Sequence, residues 1–303
     1  MSEWVRPLGS AAADGFDVVI DERTDGWEHT GLRIVTLVSV VSAELELVDT
    51  ELVVVPLNGG CLVEAFDESG VLHTADLAGR VDVWAGPTDV AYVPAGWKLR
   101  LTGPAGARIA ICSAPVAVGA AAQKFAHLRA ADVPVEMRGA GIASREVRNF
   151  GVPGVLDAAG IIVCEVLTPA GNWSSYPPHK HDEERPGQEA ELEEIYYFET
   201  RVEGGREVPG ADPVGYQRVY GTDERPIDVF AEVRTGDVVL VPHGWHGPAM
   251  AAPGYDLYYL NVMAGPGEGR AWLICDDPSH GWVRDTWTDQ HIDPRLPFGD
   301  EPA

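Results

Sequence analysis

Short apolar runs recur along the chain at close spacing, over Arg33–Val41, Glu51–Val55, Val90–Val93, Arg108–Ile111, Ile161–Leu167, Glu194–Phe198, Tyr216–Tyr220, Val238–Val241 and Leu257–Val262. Each is four to nine residues long, rich in β-branched and aromatic residues, and bounded by Gly, Pro, Asn or Asp, which is the pattern of strands separated by tight turns. One Ala-rich stretch near Ala117–Ala131 predicts a bridging helix. The expected class is therefore all-β, a barrel or sandwich.

A repeat sharpens this. Asp89–Lys98 reads DVAYVPAGWK and Asp237–His246 reads DVVLVPHGWH, so Asp, Val, Val, Pro, Gly and Trp coincide at a constant offset. Two similar β domains in one chain are predicted, with the boundary near residues 125–150. The copies differ at their last position, His246 against Lys98, and the first copy has no His-x-His pair, reading Thr30-Gly31-Leu32-Arg33 instead. Lysine is a poor metal ligand, so residues 1–130 are expected to form a partner domain without metal ligands. Residues 131–303 are expected to carry the chemistry, followed by a surface extension from Asp285.

Charge narrows the partners. With 22 basic and 47 acidic residues in 303, the net charge of −25 disfavours nucleic acid and anionic membrane surfaces. A small anion remains possible, because salt screens a distant field within ~8 Å. The four cysteines are far apart and form no CxxC pair, which predicts buried free thiols in a reducing cytoplasm. The first residues carry no signal-like pattern and no run of 18 apolar residues occurs, so neither export nor a membrane span is expected.

The candidate chemistry centres on Tyr176-Pro177-Pro178-His179-Lys180-His181. On a strand, His179 and His181 share a face while Lys180 points away, so two imidazoles can grip one cation. Glu194, a carboxylate heading the aromatic run Ile195–Phe198, is a third donor candidate, with Glu189, Glu191 and Glu193 as competitors. His246 is the fourth, with His243 beside it. Such a donor set suits Zn, Mn, Fe, Co or Ni with positions left for a ligand.

These residues resemble the cupin superfamily, whose motifs are G(x)5HxH(x)3–4E(x)6G and G(x)5PxG(x)2H(x)3N. Gly236, Pro242 and Gly244 fit the second, although His246 comes one residue early, and a 12-residue insertion separates His181 from Glu194. The cupin pattern favours His246 over His243, and Glu194 over its competitors. The resemblance narrows further. The segment Pro169–Glu183, Leu192–Tyr197, Gln217–Tyr220, Gly254–Pro266, Asp277-Pro278 and Gly86–Asp89 with Tyr92–Pro94 are similar to the 5-deoxy-glucuronate isomerase family of myo-inositol catabolism. One departure is Arg148, where the family pattern leads one to expect a His before Asn149; a surface position is the expected explanation.

The resemblance implies two cupin barrels and an aldose–ketose isomerisation of 5-deoxy-D-glucuronate to 2-deoxy-5-keto-D-gluconate. It further implies one divalent metal per chain, Zn first and Mn or Fe as alternatives, on His179, His181, Glu194 and His246. No nucleotide cofactor is expected. The proton carrier is sought among Glu165, Tyr220 and Tyr259, and the grip on the substrate carboxylate among Arg218, Lys180, Arg145 and Tyr176. A homo-oligomer is expected from strand edges that pair between bicupin subunits. The alternatives are a ketol-isomerase of 4-deoxy-5-keto-uronate, an iron-dependent cupin dioxygenase, and a non-catalytic sugar-binding cupin.

Overall fold

A computed structural model describes residues 3–38, 43–117, 121, 123–267 and 269–299. The paired strands in it are antiparallel throughout. A nine-stranded sheet system occupies the first half of the chain. Its longest member, Thr50–Phe66, pairs through its first half with Val90–Val93 and Arg108–Pro115 and through its second with Leu72–Arg80 and Lys98–Thr102. The register shifts between Pro56 and Asn58, where proline lacks the N–H a regular ladder needs, and one strand thereby serves two faces.

The second half holds a seven-stranded sheet in the order Val5–Arg6, Val238–Val241, Glu193–Val202, Tyr255–Ala264, Ile162–Thr168, Arg145–Gly151, Val135–Arg138. Facing it is a six-stranded sheet built on Gly215–Tyr220 and Trp245–Ala251, to which the short strands Trp173–Ser174 and His179–Lys180 are joined. The first strand of the chain, Val5–Arg6, thus belongs to the sheet of the second half.

The central strands of the seven-stranded sheet are buried on both faces, which explains why they read as continuous apolar runs rather than as alternating ones. Along Ile162–Thr168, Cys164 and Val166 face the interior of the second barrel, while Val163 and Leu167 join a core that runs across the seam to Val53, Val55 and Tyr92 of the first half. The same parity holds on the neighbours: Tyr196, Phe198 and Tyr259 point inward, and Ile195, Tyr197, Tyr258 and Leu260 point to the seam. A third core fills the first barrel around Val54, Val63, Leu101 and Ile111.

Two expectations change. The Ala-rich stretch at 117–131 contains no α-helix among its described residues; Ala126–Leu128 is a strand pairing with Val90–Tyr92, and residues 118–120 and 122 lie outside the description. The tail after Asp285 is more than a surface extension. Phe298 packs against Trp84, its backbone N–H donates to the Glu146 carboxylate, and Arg295 donates to the Asn172 amide oxygen and the Ala170 carbonyl. All four cysteines are free, and Cys61, Cys112 and Cys164 are buried. No helix among the described residues is long and apolar enough to cross a membrane.

Candidate metal centre

His179 and His181 lie on the inner face of the second barrel, brought there by strand parity, and His246 comes from Trp245–Ala251, where it is the register partner of His179. One ligand nitrogen from each imidazole falls within 4.8 Å of the others. Glu194, at the head of its aromatic strand, places Oε2 3.1 Å from His181 Nε2 and 3.0 Å from His246 Nε2. The strand just after His246 leaves no latitude. Gly247 has a φ of +96°, and a Cβ there would sit 1.8 Å from the Ser175 carbonyl oxygen, so only glycine admits this close approach.

The donor chemistry fits a cation. His181 Nδ1–H donates to the Leu192 carbonyl and His246 Nδ1–H to the Gly244 carbonyl, both at 3.1 Å. In their neutral forms both rings therefore turn a bare Nε2 lone pair toward the Glu194 carboxylate, and lone pair against lone pair is repulsive unless a proton or metal stands between. Nε2 of His246 is buried, and the acceptor beside it, Glu194 Oε2 at 3.0 Å, does not meet it in hydrogen-bond geometry. Burial alone would raise the Glu194 carboxyl, but with the two rings protonated instead of neutral, hydrogen bonds and charge from His181 and His246 outweigh it and bring it down to about 2. Burial, reinforced by the two neighbouring imidazoles, holds His179 well below the usual histidine range, so it stands neutral and ready to ligate.

Two of the other acidic candidates are engaged elsewhere, and Glu191 is exposed. Glu193 accepts from the backbone N–H groups of Glu28 and His29, and Glu189 binds Lys180 and Arg185 in the short hairpin Asp182–Glu191. His243 lies outside the triad.

The centre opens into a cleft of about 500 Å³. Its walls include Arg145, Tyr196, Tyr259, Asn261, Trp272 and Trp287. Of the residues proposed from sequence for proton transfer and carboxylate binding, the structure places Tyr259 and Arg145 in this cleft. It places the others elsewhere. Glu165 has the parity of the seam, where it pairs with Arg80 of the first barrel and accepts from Tyr258. Arg148 is fully buried beside it, bound to Glu146 and the Val83 carbonyl, so it is no surface position. Arg218 and Tyr220 stand on the outer face of their strand, the first paired with Asp228 and the second donating to Asp277. Lys180 is held by Asp182 and Glu189, and Tyr176 packs edge-on against Trp173. Because Asp228 is exposed and Arg218 half-buried at the rim, where it also donates to the Val219 and Val229 carbonyls, Arg218→Ala is expected to cost no more than ~1 kcal/mol of stability, a result thermal melting would check.

Sequence reading missed Arg138, at the end of the edge strand Val135–Arg138, Trp272 in an irregular segment, and Arg284 and Trp287 on the 3₁₀ helix Gly281–Asp289, all of which line the cleft. The only available signal was the local density of Arg and Trp in the Gly281–Asp289 turn.

Comparison with known proteins agrees with this architecture. The chain is 37% identical over 287 residues to the 5-deoxy-glucuronate isomerase of Geobacillus thermodenitrificans, covering 94% of this chain and 97% of that one. It is 38% identical over 291 residues to the same-named protein of Geobacillus kaustophilus, with the same coverage. A solved IolB-like protein from Salmonella typhimurium superposes with a TM-score of 0.79 at 31% identity, over 92% of this chain and 98% of that one. The oxalate decarboxylase of Lactobacillus farciminis, at 11% identity and a TM-score of 0.64 over 91% and 89%, shares the bicupin fold. The sequence profile of the KduI/IolB family matches residues 4–283, and with that extent of match the chain belongs to the KduI/IolB family.

Proposed function

We propose that the protein is an aldose–ketose isomerase that converts 5-deoxy-D-glucuronate to 2-deoxy-5-keto-D-gluconate. What supports the reading most is the convergence of three imidazoles and one carboxylate on a cleft with a cationic wall, in a chain matching isomerases of that name nearly end to end. The holding residues are His179, His181, Glu194 and His246, and the ion of first choice is Zn, with Mn or Fe as alternatives. Bound there, a divalent metal supplies Lewis acidity toward the carbonyl and hydroxyl oxygens of the substrate.

The protein's own groups have distinct tasks. Tyr259, whose phenol burial pushes up to about 12 against the opposing effect of Ser174 and Ser175, keeps its proton near neutral pH. Its hydroxyl donates to Ser174 Oγ at 3.0 Å and lies 3.1 Å from Ser175 Oγ, so the ring is held in the cleft wall and serves an oxygen that gains negative charge by turning that proton away from Ser174. Trp272 and Trp287 narrow the cleft against water. The catalytic unit is proposed to be residues 131–303 together with the strand Val5–Arg6. Residues 7–130 supply the first barrel, in which His73 and His127 stand beside Asp67 and Asp89 and not in a triad.

The test is conversion of 5-deoxy-D-glucuronate followed by NMR, with and without air. Equal turnover in both, without oxygen uptake, is the expected result. Oxygen-dependent turnover would favour the dioxygenase reading, and binding without turnover a sugar-sensing role.

A further inference from the structure

Three arginines line the cleft, and they differ in what neutralises them. Arg138 Nε donates to Glu136 at 2.8 Å and its guanidinium lies 5.0 Å from the Trp272 ring. Arg284 is bound by both oxygens of Asp276, one at 2.7 Å. Arg145 has no carboxylate among the described residues. Its one hydrogen bond runs from Nη1 to the Ala143 carbonyl at 3.2 Å, and its guanidinium lies 5.8 Å from the Trp287 ring. Yet it is only 9% exposed.

That combination is costly. A buried ion normally brings its partner with it, and in a chain with 47 acidic residues partners are abundant. The backbone is also shaped to admit this side chain. Gly139, at a φ of +74°, leaves room both for the backbone and for this side chain, since a Cβ there would sit 2.1 Å from the Ala143 carbonyl oxygen and 2.7 Å from Arg145 Nη1. Burial draws the guanidinium down to about 10, helped by the nearby charges of Arg138 and Arg284, and it remains charged near neutral pH.

We propose that Arg145 is the specificity-determining residue of the cleft, its unneutralised guanidinium taking the carboxylate of a sugar-acid substrate while Trp287 from the C-terminal turn packs against it. The fork geometry suits a carboxylate bidentately. This rests on the isomerase reading for the identity of the substrate, though not for the selection of an anion. Arg145 is thus a binding group at the substrate's far end rather than a participant in proton transfer.

The experiment uses the full metal-loaded chain and two measurements. The first is calorimetric binding of D-glucuronate against D-glucose, which isolates the carboxylate. The second is kcat and KM for 5-deoxy-D-glucuronate. In Arg145→Met the affinity for D-glucuronate is expected to fall about 30- to 1000-fold, as for loss of one partner of a buried charge pair, with that for D-glucose little changed. KM should rise in parallel and by more than kcat falls. Since the substitution removes a charge without a partner, the variant should melt no lower than wild type; should it not fold, Arg145→Lys keeps the charge without the fork and should lose part of the preference. Preserved preference and KM in a folded variant would overturn the proposal while leaving the isomerase reading intact, as would a wild type that does not prefer the acid. Lost preference in the variant, with no turnover of 5-deoxy-D-glucuronate by wild type, would uphold Arg145 and sink the isomerase reading instead.

Discussion

His246→Ala is expected to lose the bound metal and at least about 1000-fold in kcat for 5-deoxy-D-glucuronate, since about 4 kcal/mol of Lewis-acid stabilisation corresponds to that factor. His246 is the one donor brought by the strand Trp245–Ala251, and its Nδ1 is already committed to the Gly244 carbonyl, which leaves Nε2 for the ion. Removing a ligand should cost more affinity than the 10- to 100-fold typical of removing an outer partner. Metal content by elemental analysis, alongside kcat and a far-ultraviolet dichroism spectrum, checks the prediction. A chelator-stripped wild type should match the variant in activity and, unlike it, recover on metal addition. A folded His246→Ala chain that keeps both metal and turnover would remove His246 from the centre.

The parts of this site that could be read from the sequence are those governed by local geometry. His179 and His181 share a face because strands have a period of two, and no knowledge of neighbouring strands is required. The turn repeated at Asp89–Lys98 and Asp237–His246 pointed to paired β domains because the same apolar pattern and turn residues recur. Glu165 and Arg145 show where such reasoning stops. Both sit on strands buried on two faces, Ile162–Thr168 and Arg145–Gly151, and an unbroken buried run does not say which parity faces the site and which the seam. That choice is made by non-local pairing: Glu165 opposes Leu260 and Arg148, and all three point to the first barrel. Arg218 fails for a related reason, since sharing a face with Tyr216 and Tyr220 does not tell whether the face is inside or out. Trp287 and Arg284 belong to the 3₁₀ helix Gly281–Asp289, which has no buried residue to mark an inner face, and only tertiary packing brings them to the cleft.

The reassigned Glu165 carries the second large effect, on stability rather than on catalysis. Its carboxylate is fully buried in the seam, accepts from Arg80 Nη1 at 3.0 Å and from the Tyr258 hydroxyl at 2.7 Å, and stands 3.6 Å from Arg148 Nη1. Arg80 comes from the first barrel and also donates to the Pro56 and Gly86 carbonyls, so Glu165 is the charge that closes a network across the two halves. Glu165→Ala would leave Arg80 buried and uncompensated, which is expected to cost ~3–5 kcal/mol. In a chain of this size that lowers the melting temperature by roughly 5–8 °C. Replacing both partners, as in Arg80→Met with Glu165→Leu, should recover most of the loss, because neither charge is then stranded.

The same group predicts a pH dependence. Burial would raise the Glu165 carboxyl, but the charge and hydrogen bonds of Arg80, with Arg148 and Tyr258, hold it below its ordinary value of 4.5. A depressed native value means that the unfolded chain takes up the proton first. The stabilisation is therefore fully present above about pH 4.5 and is lost as pH falls from there through the native value. Melting temperatures measured from pH 7 down to pH 3 should fall more steeply in wild type than in Glu165→Gln, which starts lower and has no carboxylate to protonate at this position. Parallel curves would show that the seam ion pair contributes nothing to acid sensitivity, and an unchanged melting point in Glu165→Ala would show that the two barrels hold together without it.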